Sequence, residues 1–227
     1  MFFPIGDENI NGGHKPYVTY AFIAINVLIF LWQITLGAEG YRNFLYEFGT
    51  IPVEILNGED YFTLLTNVFL HGGWGHIFGN MVFLWIFADN IEAIVGNLNF
   101  VAFYLLGGLF ASLLHIFLNS TSQIPAVGAS GAISAVMGAY LVMFPKSDIK
   151  VFVMFLFRSV NVSAMIFLGL WFIYNLGSGI MSMGPENAQA SGTAWWAHIG
   201  GFIFGAIAGF YAKKSYLSDD FYQQPRV

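Results

Sequence analysis

Long apolar stretches recur along this chain, and they decide what it can fold into. They run Tyr17–Leu36, Trp74–Ala93, Leu98–Leu118, Ser130–Phe144, Val162–Gly177 and Ala194–Ala212. A helix needs about 20 apolar residues to cross a ~30 Å hydrocarbon core, whereas barrel strands would be short and strictly alternating. The expectation is an all-α polytopic membrane protein, a bundle of six transmembrane helices. Composition agrees: 57% of the 227 residues are hydrophobic and 9% charged, too few polar side chains to clothe a water-facing surface. With no cysteine, disulfides, thiolate metal sites and cysteine nucleophiles are excluded together. No basic run points to nucleic acid.

The stretches imply one membrane domain over residues 17–212, an N-terminal segment at 1–16 and a tail at 213–227. The first apolar segment is too long for a signal-peptide core and lacks a small-residue cleavage site, so it is expected to stay as an anchor. The longest connection, Gly37 to Gly73, interleaves aromatic residues with Arg42, Glu47, Glu54, Glu59 and Asp60, as a segment lying in the membrane interface would. Lys and Arg are retained on the cytoplasmic side of short loops. With both termini inside, Lys15, Lys146, Lys150, Arg158, Lys213, Lys214 and Arg226 are cytoplasmic and Arg42 alone is outside. Arg158, within VFVMFLFRSV, has no clear place; without it the split is six against one. The expected location is a cell membrane, the inner one in a Gram-negative source.

Polar groups inside such spans are costly and are functional candidates by default. Three clusters qualify: HGGWGHIFGN with His71, His76 and Asn80; GASGA with Gly128, Ser130 and Gly131; and AHIGGFIFG with His198, Gly201 and Gly205. Ser130 lies 16 residues before Lys146 and His198 15 before Lys213. At 1.5 Å per residue, both stand about 22 to 24 Å above the inner boundary. Gly201, Gly205 and Gly209 form a small-xxx-small ridge that can approach Gly131, Ala135, Gly138 and Ala139 closely, which would bring His198 against Ser130. A serine hydroxyl needs a neighbouring base to become a nucleophile, and histidine is the usual one. Neither Ala93–Ser147 nor Asn187–Ser218 contains Asp or Glu, so a Ser–His dyad is the economical reading. Ser130 opens a helix, where unpaired N–H groups and the positive dipole end can serve an oxyanion. His76 and Asn80, four residues apart, project from one helix face and can add donors. His115 reads as structural and His14 as solvated. The polar residues Asn119, Ser120, Ser122, Gln123, Asn187, Gln189 and Ser191 precede these spans and suit water access from outside.

FTLLTNVFLHGGWGHIFGNMVFLWIFADNIE, VGASGAISAVMGAYLVMFP and AWWAHIGGFIFG resemble, in order, three blocks of the rhomboid intramembrane proteases. The resemblance covers the chain from about Phe48 to Gly209. It implies Ser130 as nucleophile, His198 as base, and an oxyanion hole of His76, Asn80 and Ser130. His71, Gly128, Gly131 and Gly201 would support them, and Trp171 and Phe172 would line one side of a substrate gate. It also implies transmembrane protein substrates cut near the outer membrane face, with lipid as surroundings and without metal or other cofactor. Three positions depart from the best-known bacterial members: Phe62-Thr63 replaces a Trp-Arg pair, Ser134 a tyrosine that stacks on the histidine, and Gly79 a gate phenylalanine. Rival readings are an inactive rhomboid-like protein that binds membrane clients, a metal site on His71, His76 and His198, and a channel or transporter. The spacing of the histidines and the absence of HExxH disfavour the second; no repeated half or ring of charge suggests the third.

Overall fold

The computed structural model describes residues 2–10, 12–183 and 193–217. Its elements follow in the order β1 (Phe2–Asp7), α1 (Tyr17–Thr35), α2 (Gly37–Phe48), α3 (Pro52–Leu56), α4 (Thr63–Thr66), α5 (Trp74–Val95), α6 (Asn97–Leu118), α7 (Ser130–Met143), β2 (Asp148–Val153), β3 (Arg158–Ser163), α8 (Ala164–Ser182) and α9 (Trp195–Tyr216). The protein is a helical membrane bundle. Among the described residues, α1, α5, α6 and α8 are long and apolar enough to cross a bilayer. Leu28, Phe117, Leu170 and Ile173 stand exposed on their outer faces, as side chains solvated by lipid tails do.

α7, 14 residues long, is shorter than a membrane span needs. It is sheathed by α5, α6, α8 and α9, with Ala132, Ala135, Val136 and Tyr140 fully buried, so its own surface meets little lipid. Its contact with α9 is the most extensive in the described fold. The expected glycine ridge makes it: a Cβ at Gly201 would strike the Gly131 carbonyl, one at Gly205 the Ala135 carbonyl and one at Gly209 the Ala139 backbone. Side chains small enough to leave the backbones touching hold these helices by dispersion contacts, since lipid offers no hydrophobic drive between them.

The start of α1 is satisfied by a side chain from α5. The Glu92 carboxylate, fully buried on α5, accepts from Val18 N at 2.9 Å, Thr19 N at 2.8 Å, Thr19 Oγ1 at 2.6 Å and Asn97 Nδ2 at 2.5 Å. It thereby supplies both the acceptors and the negative charge that the start of α1 requires. Gly96, at φ 83°, turns the chain from α5 directly into α6.

A three-stranded antiparallel sheet, order β1-β2-β3, adds to the expected helices. It takes in the N-terminal segment and the stretch around Arg158. Val162 therefore lies in a strand, and the fifth apolar stretch becomes helical from Ala164 to Ser182. Alternation explains β2: Ile149, Val151 and Val153 are buried in the bundle while Lys150 faces out. β1 is bonded through Asp7 to Asn90 on α5, and Phe3 stacks at 5.9 Å on Phe78, twelve residues further up the same helix. Since β1 pairs Phe2 with Val153, the tip Met154–Phe157 lies at that upper end. Its four apolar side chains are exposed, which lipid would cover. Arg158 stands there too, away from the lysines with which it was counted. Asn187, Gln189, Ser191 and Arg226 lie outside the described residues, as does the tail beyond 217.

Candidate active site

Ser130 is the first residue of α7 and His198 sits in the first turn of α9. The glycine contact between these helices brings Ser130 Oγ within 2.9 Å of His198 Nε2. The other ring nitrogen, Nδ1, lies 2.7 Å from Oδ1 of Asn175 on α8. Trp171, one turn before Asn175, holds its ring 5.7 Å from the imidazole, and Trp195 meets it edge-on at 6.1 Å. These contacts hold the His198 ring in place. The Ser134 hydroxyl donates to the Ser130 carbonyl at 2.6 Å.

Asn175 is missed by sequence reasoning that admits only a carboxylate as third member beside Ser130 and His198. Its signal was available: an amide inside an otherwise apolar span, four residues after a tryptophan. Trp171 and Phe172 face inward, stacking on Phe202 of α9 at 5.9 and 4.7 Å. Gly79 has open space before it.

The side chains of α5 converge from the opposite side. His76 Nδ1 accepts from Gly72 N at 3.3 Å, so its proton is left on Nε2. A Cβ at Gly128 would stand 2.7 Å from that Nε2 and 3.5 Å from Asn80 Nδ2; with Gly128 also at φ 125°, only glycine fits. Asn80 Nδ2 lies 2.9 Å from Nε2 of the buried His71. One amide hydrogen is used there and the second remains. His71 is fixed in turn, its carbonyl accepting from Tyr41 Oη at 2.5 Å and Gln33 Nε2 at 3.3 Å.

The segment entering α7 hangs on the first connection. Thr50 and Ala126 exchange backbone bonds of 3.0 and 2.8 Å, Gly128 N donates to Asn67 O at 2.9 Å, and Asn67 Nδ2 bonds Thr50 Oγ1 and Ser112 Oγ. A cavity of about 150 Å³, lined by His76, His115, Asn119, Ser122 and Trp195 among others, opens beside His76. A small one of about 20 Å³ reaches Ser130 and Gly131.

The rhomboid-domain family model matches residues 58–215. The Rhomboid protease GluP of Bacillus subtilis is 30% identical over 194 residues, covering 86% of this chain and 34% of that protein. Rhomboid protein 1, mitochondrial, of Saccharomyces cerevisiae is 26% identical over 212 residues, 89% of this chain and 55% of that one. The presenilin-associated rhomboid-like protein, mitochondrial, of Homo sapiens is 26% identical over 206 residues, 87% and 48% respectively. The chain thus spans between about a third and about half of the length of these relatives. With the matched region covering most of its length, this multi-pass membrane protein belongs to the rhomboid family of intramembrane proteases and rhomboid-like proteins.

Proposed function

We propose that the protein is an intramembrane serine endopeptidase that cleaves transmembrane proteins near the outer membrane face. The observation that carries this reading is the 2.9 Å contact between Ser130 Oγ and His198 Nε2 at the head of a helix. In the proposed reaction Ser130 Oγ attacks the scissile carbonyl as His198 Nε2 takes its proton. The negative charge that develops on the carbonyl oxygen meets the N–H groups at the start of α7, His76 Nε2–H and the free Asn80 amide hydrogen. His198 then passes its proton to the leaving amine, leaving an acyl ester on Ser130. Water entering by the cavity near Asn119 and Ser122 loses a proton to His198 as it attacks that ester; the ester bond then breaks, His198 returns the proton to Ser130 Oγ, and the second product leaves as the acid.

His71 and Gly128 act in this reading as supports, one anchoring Asn80 and the other giving His76 room. Gly201 keeps α9 against α7, and Gly131 lets α7 approach Ala111 of α6. Trp171 and Phe172 act on the substrate side through α8, as one wall of a gate opposite Gly79. A metal centre is disfavoured because His71 and His198 already engage Asn80 and Ser130.

The test is cleavage of a single-span model substrate in liposomes by the protein and by Ser130→Ala and His198→Ala, each checked for its melting temperature. Both substitutions should abolish turnover nearly completely, with no further loss when combined, because the two side chains act as one unit. Full turnover by folded Ser130→Ala would reject the serine mechanism. A folded parent that binds substrates without cutting any would instead favour a rhomboid-like client-binding protein.

A further inference from the structure

Asn175 is 2% exposed, a polar side chain held within a helix whose neighbours Ile173, Tyr174 and Leu176 are apolar. Its two amide atoms have distinguishable partners. Nδ2 lies 2.8 Å from the Trp171 carbonyl, which only accepts, so the amide must present its N–H there. Oδ1 is then the atom facing His198 Nδ1 at 2.7 Å. A carbonyl oxygen only accepts, so the proton of that bond belongs to Nδ1. A neutral imidazole protonated on Nδ1 carries its lone pair on Nε2, the nitrogen beside Ser130 Oγ.

We infer that Asn175 is a positioning residue that holds His198 in the Nδ1-protonated tautomer, with Nε2 turned toward Ser130 as the base. The inference rests on the serine mechanism proposed above. The second bond, to Trp171, is what makes the amide a specific device: it keeps the side chain from flipping and offering an N–H to Nδ1, which would favour the wrong tautomer. The tryptophan whose carbonyl is used also places its own ring against the imidazole, so one turn of α8 sets both the proton and the plane of the base. A neutral amide accepts the Nδ1 proton without bringing a charge into the bundle, where a carboxylate would be costly.

Two measurements test this. The first is ¹⁵N NMR of the histidine ring nitrogens in the whole protein in detergent, with His198 assigned by difference from His198→Gln. Expected is a pyrrole-type Nδ1 and a pyridine-type Nε2 in the parent, with the pattern reversed or mixed in Asn175→Leu. A parent His198 protonated on Nε2 would overturn the inference whatever the activities are. The second is kinetic: Asn175→Leu should lower kcat by about 10- to 10³-fold, losing part of what a wrongly oriented base costs, with KM changed less than threefold. Asn175→Asp, whose protonated carboxyl keeps an acceptor for Nδ1–H and a hydrogen for the Trp171 carbonyl, should recover part of that loss. Asn175→Ala carries the same two readouts should the leucine variant not fold. Unchanged kcat and tautomer in a folded variant would end the inference. Were Ser130→Ala itself fully active, the serine mechanism would fail while the NMR result still reported on the tautomer.

Discussion

Around Ser130, the groups on α5 and in the turn before it differ in what they touch, and the difference predicts a hierarchy. Asn80 and His76 aim hydrogens at the space beside Gly128, whereas His71 bonds Asn80 alone among them. Asn80→Ala should therefore lower kcat by about 10²- to 10³-fold, the usual effect of deleting an oxyanion donor. His71→Ala should cost less, and the double variant should be no slower than Asn80→Ala, because His71 acts through Asn80. Steady-state cleavage by the three folded variants checks this; additive losses would mean that His71 has a separate role. Gly128→Ala should be more damaging than either single change. It meets both a strained backbone and the His76 ring, and no rotamer of a new methyl group escapes them.

Helices and strands carry their own vulnerabilities. At Gly205 the added Cβ would run into the Ala135 backbone, so Gly205→Leu should push α9 from α7 and separate Ser130 from His198. Overpacking of this kind costs about 1–3 kcal/mol or more, and both melting temperature and turnover should fall. Glu92→Ala strips the start of α1 of its acceptors and should lower the melting temperature more than Glu92→Gln, which keeps one oxygen. β1 is pinned by Asp7, which accepts from Tyr140 Oη at 2.5 Å and Asn90 Nδ2 at 2.8 Å. Burial pushes the Asp7 carboxyl up to about 7; the charges of Asp89 and Glu8 add to the rise and the two hydrogen bonds oppose it. The folded state thus holds a proton that the unfolded chain releases near pH 4. The stability from this group is fully present below about pH 4 and is lost as pH rises through about 7. The melting temperature should accordingly decline between about pH 4 and 7, and Asp7→Asn should flatten that decline. An equal slope in both proteins would mean that the Asp7 carboxyl is not the group that titrates.

For the molecule in its membrane, the packing and the charge count together predict a sidedness. Lys213 Nζ bonds the Val142 carbonyl at the end of α7 opposite Ser130, which puts the lysine-bearing ends of α7 and α9 together and the ends with Ser130 and His198 at the other face. A cysteine at Gln123 should react with a membrane-impermeant thiol reagent applied to intact cells, and one at Ser215 only after permeabilisation. Ser147 is buried against the bundle and would be a poor reporter. The reverse pattern would place cleavage at the cytoplasmic face.

How much of this was legible before any coordinates depended on how local the underlying physics is. The length of each apolar run follows from the thickness of the hydrocarbon core, and the spacing of Gly201, Gly205 and Gly209 follows from the helical repeat. The helical bundle, the α7–α9 contact and the common height of Ser130 and His198 could therefore be read directly. The DIKVFV alternation was also visible, but its partner strand β1 lies some 140 residues away, and short apolar runs do not announce their pairing. Asn175 shows the limit most clearly. Whether its amide meets His198 depends on the rotation of α8 about its own axis and on its crossing with α9. No single-chain periodicity encodes those angles; packing of whole helices decides them, and with them the contact of Asn175 with His198.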